Sequence, residues 1–318
     1  PDIASKLYLE SLSVSLLNIE QTIKKIFDQL VETFEISLNE NDWVHKNVKK
    51  EVASKISGLR IMSDPYLGFI NFKENFSKLY GEANIDANDF ISNVFALKKV
   101  VRRRMYDTHG RSALLPEVIW NHLLWPISTS PIRIPGESVI VLPTSLVAPF
   151  NYGSQKVEEF ATIGFLIAQE MSRLIYDEKT SELFIERKEN FRSNVEIHLQ
   201  DPAYSRKPNI FGIQLTEGDV TSSQHSRFID DMTLRVTYDT YDRYRSLHDD
   251  KSLPWTDNSA ARTFYLLTSQ QFCNAKMSSV EVAINLLEND KLPNYFRINS
   301  IMMNSEHFLN SFTCKNLA

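Results

Sequence analysis

The sequence predicts a mainly α-helical protein with a small β-sheet, and three observations predict it. Apolar residues recur at steps of three and four over long stretches, which lines them up on single helix faces. A short β-branched run, Ser138-Val139-Ile140-Val141-Leu142, sits among five prolines (126, 131, 135, 143 and 149) and reads as a strand. A chain of 318 residues, 42% hydrophobic and 24% charged, can bury a sizeable core in one large domain or two.

Taken in order, Ile19, Ile23, Ile26, Phe27, Leu30, Val31, Phe34 and Leu38 mark a first helix. Asn41-Asp42 offers an N-cap for a second, whose face is Val44, Val48, Val52, Ile56 and Leu59. Ser63-Asp64-Pro65 ends this hairpin, because proline disfavours helix in the residue before it. A further helix carries Phe90, Ile91, Val94, Leu97 and Val101 on its expected inner face. The stretch from Val157 to Tyr176 is apolar nearly all round and is expected to be buried. Residues 177–225 are polar and read as irregular, with Pro202 and Pro208 in loops. Helices follow over Phe228 to Arg245, Ala260 to Cys273 and Glu306 to Phe312. There is no internal repeat or low-complexity tract.

A net charge of -5 gives no whole-chain reason to expect nucleic acid or an anionic membrane as partner. No apolar run is long enough to cross a bilayer. The start on Pro1, with no signal-like segment, reads as a processed or trimmed chain. Cys273 and Cys314 are the two cysteines, and composition leaves them as buried thiols or one disulfide. Asn75-Phe76-Ser77 is a glycosylation sequon, which matters only in a secreted protein.

The buried helix carries Gln169-Glu170-Met171-Ser172-Arg173, four polar groups that must be satisfied inside apolar surroundings. Glu170 and Arg173, at i and i+3, can pair. The same five residues read as an altered H-E-x-x-H, in which two histidines ligate zinc and the glutamate activates water. Collinear segments extend the likeness. These are Val141-Leu142-Pro143 to Ala148-Pro149-Phe150, Ile163-Gly164 to Gln169-Glu170, Phe228-Ile229-Asp230-Asp231-Met232, Phe264-Tyr265-Leu266 to Phe272-Cys273, Phe296-Arg297-Ile298, and Phe308 to Cys314. Together they resemble the C-terminal part of the ectodomain in the neprilysin and endothelin-converting enzyme family of zinc metallopeptidases.

The resemblance implies a thermolysin-like catalytic lobe over residues 127–318. It also implies a helical segment over 1–126 that links to, and contributes to, a second lobe. The family's zinc ligands fall on Gln169, Arg173 and Ser226, its oxyanion histidine on Lys291, and the carboxylate orienting the second histidine on Tyr176. Glu170 is then a vestigial general base, and Asp230 a vestige of the shell around the ligands. Amide, guanidinium and hydroxyl are poor zinc ligands, so zinc is expected to be lost and no cofactor to replace it. Arg173 is expected to pair with Glu170, Asp230 or both. Arg297 falls on the family's substrate-gripping arginine, although a structural salt bridge accounts for it equally well. Ser130-Pro131 falls near its asparagine-alanine grip, and Val139 to Leu142 falls on a strand edge open to extended peptide.

The implied function is a secreted or membrane-anchored pseudopeptidase that binds a peptide or protein. The alternatives are a zinc endopeptidase with a non-standard or partner-completed site, and a structural subunit of an extracellular assembly. In the family, the positions of Cys273 and Cys314 bridge to cysteines near the start of the ectodomain. Here they pair with each other, or with a separate N-terminal segment or chain.

Overall fold

The computed structural model describes residues 11, 16–40, 45–62, 80–107, 110, 128, 130–134, 137–147, 155–176, 209–210, 213–214, 224–248, 257–273 and 294–314. The chain divides into two compact units, Pro1–Lys25 with Gly58–Gly153, and Ile26–Ser57 with Ser154–Ala318. The expected boundary between residues 126 and 127, the sequon at Asn75 and the family histidine position at Lys291 lie outside the described residues.

Helix α1 (Leu16–Glu40) buries Ile23, Ile26, Phe27, Leu30, Phe34 and Leu38 of the stripe that the spacing predicts, while Val31 is half-buried. Helix α2 (Lys46–Gly58) buries Val48, Val52 and Ile56. It starts at His45, whose carbonyl accepts the Lys49 amide at 3.0 Å and whose ring Nδ1 accepts the Asn47 amide at 3.3 Å. The cap expected at Asn41-Asp42 lies outside the described residues.

In the first unit, β1 (Arg60–Met62), α3 (Phe90–Asp107), β2 (Ile132–Arg133), β3 (Val139–Val141) and the single turn α4 (Thr144–Val147) follow. Strand β3 is central: β1 runs parallel to it, with Ile61 opposite Ile140, and β2 antiparallel, with Arg133 opposite Ile140. All three β3 side chains are buried, as a β-branched run covered on both faces should be. This corrects the expectation of an open peptide-binding edge at Val139 to Leu142. Both ladders of β3 are occupied, and Leu142 donates to Met62 as well. Helix α3 departs further from its expected pattern. Phe90 and Ile91 are exposed, Val94, Leu97 and Val101 are only half-buried, and no side chain described on it is fully buried.

In the second unit, helix α5 runs from Lys156 to Ile175 in three parts. It is α-helical over Lys156–Glu159, opens into a wide π-type turn over Phe160–Gly164, and is α-helical again over Phe165–Ile175. The hairpin β4 (Asn209–Ile210) and β5 (Ile213–Gln214) lies in the stretch expected to be irregular; strands of two residues leave no alternation to read. Among the described residues, helices α6 (Gln224–His248), α7 (Ala260–Gln270), α8 (Asn294–Met303) and α9 (Glu306–Ser311) follow. Ser259 and Ser305 cap α7 and α9, each accepting a backbone amide at 3.3 Å.

The core of this unit is aromatic. Tyr238 of α6 stacks on Tyr265 of α7 (4.9 Å, 18°), and Tyr241 stacks on Phe264 (5.6 Å, 9°). Buried threonines of α6 bond back one turn to their own helix, Thr233 to Ile229 O, Thr237 to Thr233 O and Thr240 to Val236 O.

Candidate functional site

The site begins with the wide turn in α5. Phe165 N–H reaches Phe160 O, five residues back, and Thr162 O, three back, so the carbonyl of Ala161 is passed over. A buried carbonyl needs a donor. Two side chains at the end of α7 supply it: Thr268 Oγ1 at 3.2 Å and Gln271 Nε2 at 2.5 Å. Gly164 lets the turn pack closely, since a Cβ there would stand 3.4 Å from Glu159 O and 3.6 Å from Ile26 Cγ2.

Beyond the turn, Glu170 and Arg173 form a hydrogen-bonded ion pair across one helical turn. The glutamate side chain is buried (6% exposed), whereas the arginine side chain keeps 27% of its surface open. Asp230 on α6, 1% exposed, is the hub of a second network. Arg297 of α8 donates to it through Nε (2.8 Å to Oδ2) and Nη2 (2.9 Å to Oδ1), and Gln169 Nε2 donates at 2.9 Å to Oδ1. The third arm of Arg297, Nη1, reaches Asn294 Oδ1 at 3.2 Å, and its guanidinium lies over the Phe272 ring at 5.2 Å. The next residue, Asp231, repeats the device. It accepts Arg235 Nε at 3.0 Å and Asn304 Nδ2 at 2.8 Å, so consecutive aspartates bolt α8 to α6 near both ends of α8.

Pairings between α5 and α6 descend along the chain: Phe160 with Tyr241 and Tyr244, Gln169 with Asp230, Tyr176 with Phe228. The helices therefore run antiparallel. Arg173, one turn after Gln169, and Ser226, one turn before Asp230, fall on the same side of the Gln169–Asp230 contact. The three positions expected to hold degenerate metal ligands are thus gathered on adjoining helices, each half-buried. Among the described residues, no group of three or more His, Cys, Asp or Glu side chains is placed to hold a metal ion.

Arg173 meets Glu170, as its spacing predicts, while Asp230 takes Arg297 in its place. Ser130 is exposed in the first unit, two residues ahead of β2. Tyr176 is buried against Phe228. Cys273 and Cys314 carry exposed free thiols. Arg262, at the start of α7, donates to Ser311 O at 2.6 Å and lies over Phe312, which puts Cys314 near that end. Cys273 follows the other end, about 16 Å further along the helix. Two cysteines bridge only when their Cα atoms lie within about 7 Å, so pairing with each other is corrected.

Sequence reasoning missed α8 as a helix, and with it Asn294 and Asn304. Pro293 directly before it, with Phe296, Ser300 and Ile301 on one buried side, was the available signal. It also missed Thr268 and Gln271, for which no local signal exists.

The sequence model described as peptidase family M13 matches residues 133–318. Among solved structures, the chain resembles the zinc metalloprotease ZMP1 of Mycobacterium tuberculosis in its open state. That likeness has a TM-score of 0.71 at 17% identity and covers 99% of this chain and 48% of that one. A galactose-containing glycoprotein complex of Haemonchus gives 0.66 at 14% identity, covering 98% and 51%. PEPO from Lactobacillus rhamnosis gives 0.61 at 13%, covering 99% and 47%. These likenesses concern fold, and the chain spans about half the length of the structures it matches. No curated protein matches it.

Proposed function

Since the chain belongs to peptidase family M13, we propose that it is a neprilysin-like homologue that holds no zinc and binds a peptide or protein in an extracellular setting without cutting it. The observation that supports this is the charge balance of the cluster. Both buried carboxylates already hold an arginine of the chain, Glu170 with Arg173 and Asp230 with Arg297. A catalytic zinc needs three His or carboxylate ligands and an open position. At the corresponding positions it would meet an amide whose nitrogen is given to Asp230, a hydroxyl, and a guanidinium that does not deprotonate. The residues do not fit the ion. A water beside Glu170 would keep nearly its bulk pKa, and general-base help alone is worth about two to four powers of ten.

The test is metal analysis of the purified chain together with a peptide-cleavage assay. The wild type is expected to carry substoichiometric zinc and to cleave nothing, while Gln169→His, Arg173→His and Ser226→Glu combined should raise zinc content. One tightly held zinc per wild-type chain would sink the reading.

A second reading is a subunit linked covalently into an assembly, with its own N-terminal segment or another chain as partner. It draws support from two exposed thiols near opposite ends of α7, and from likeness to a Haemonchus protein described as a glycoprotein complex. Oxidising, extracellular maturation would then give each cysteine a separate partner. Mass spectrometry of the protein from its source, under non-reducing conditions, checks this; two reduced thiols would remove it.

A further inference from the structure

We propose that the cluster of vacated ligand positions is a carboxylate site, in which Arg173 grips a free C-terminus or an acidic side chain of the bound peptide. The inference rests on the reading that no zinc occupies these positions.

Exposure along the two helices outlines the opening. From Phe165 to Tyr176, only Leu166, Gln169, Arg173 and Leu174 are half-exposed, and the first three form one stripe at i, i+3 and i+7. On α6, Ser226 is half-buried, and every residue from Arg227 to Leu234 is buried. The antiparallel packing brings Arg173 and Ser226 to one side of the Gln169–Asp230 contact.

The two arginines of the cluster differ in what they have left to give. Arg297 commits Nε, Nη1 and Nη2 to Asp230 and Asn294 and stacks on Phe272. Arg173 commits Nη1 to Glu170, and among the described residues its Nε and Nη2 donate to nothing. That free edge is a flat two-donor fork, the shape that pairs with a carboxylate through two parallel hydrogen bonds. The Ser226 hydroxyl adds a third donor on the same side. A guanidinium thus stands where related peptidases would carry a dication, and it draws the same class of group, an anionic oxygen pair, without activating water.

The test uses the whole chain and three N-blocked, fluorescein-labelled pentapeptides of one apolar sequence: the free acid, its C-terminal amide, and the amide with one internal glutamate. Fluorescence anisotropy should show the free acid, the glutamate peptide or both binding at least about tenfold more tightly than the neutral amide. Which of the two gains identifies the source of the carboxylate. Arg173→Gln should erase the difference and Arg173→Lys should keep part of it. Because Arg173→Gln takes the arginine away from a buried Glu170, the double variant Glu170→Gln/Arg173→Gln serves as the neutral control and should also show no preference. Equal binding of all three peptides, no binding of any, or a preference that persists in both variants would overturn the carboxylate site. Failure of the underlying reading looks different: zinc in the wild-type chain and cleaved peptide.

Discussion

Near its start, α6 presents Asp230 to two donors of Arg297 and the amide of Gln169. Nine residues on, the same helix presents Asp239, which makes no hydrogen bond or ion pair among the described residues. Burial pushes the Asp239 carboxyl above the ordinary aspartate range. His307 and Arg235 act through space against that rise, and Asp242 and Glu40 add to it. The more deeply buried of the two carboxylates is the one with donors supplied. Depth alone does not decide whether a carboxylate is tolerated; the number of N–H groups aimed at it does.

The largest effect should come from breaking the supplied pair. Asp230→Ala leaves the guanidinium of Arg297, only 11% exposed, without a counter-charge and is expected to cost about 3–5 kcal/mol in denaturant unfolding. Asp230→Leu combined with Arg297→Met should cost less than either single change, because neither charge is then stranded. A loss under 1 kcal/mol for Asp230→Ala would mean that the network is not what holds α8. Next comes Asp231→Ala, which removes the acceptor of Arg235 and Asn304 at a pair open to water on the arginine side. About 1–2 kcal/mol is expected, again from unfolding curves. The smallest effect has the opposite sign. The folded-state pKa of Asp239 is raised, so its protonated form favours folding. Stability is full in acid, below the ordinary aspartate value, and falls as pH climbs through the raised folded value. Asp239→Asn escapes that loss. Its Tm should exceed that of the wild type at neutral pH and match it below about pH 4, and equal Tm values at neutral pH would show that burial is not straining this carboxyl.

The contrast also marks what the sequence reveals. The Glu170–Arg173 pair is readable because both ends lie on one helical turn, the stripe of α1 because burial follows the helix period, and the burial of α5 because that stretch is apolar nearly all round. Arg297 and Asp230 stand 67 residues apart, and nothing local says that this arginine belongs to that aspartate. A family resemblance brings both into the neighbourhood yet leaves the pairing open, since a gripping arginine and a structural one look alike in sequence. Strand β3 was legible as a strand, but its place in the middle of the sheet depends on β1 and β2, whose short runs carry no signal of pairing. Helix α3 shows the converse limit. Its period is right, but the period does not say which neighbours cover the face, and Phe90 and Ile91 stand exposed.

The opening at Phe160–Gly164 gives α5 one residue more than its length requires. Each residue added to or taken from a regular helix turns everything beyond it by about 100°. A deletion between Phe165 and Gln169 should therefore swing Gln169 away from Asp230. A deletion of Thr162 is expected to be absorbed: the turn closes to ordinary pitch, the carbonyl of Ala161 finds an amide of its own helix, and Thr268 and Gln271 lose their task. Such a shortened chain, followed by circular dichroism and thermal unfolding, should then tolerate Gln271→Leu, which the unshortened chain should resist by about 1 kcal/mol. The slack in this helix makes it a place where the length of the chain can change while the chemistry downstream keeps its bearing.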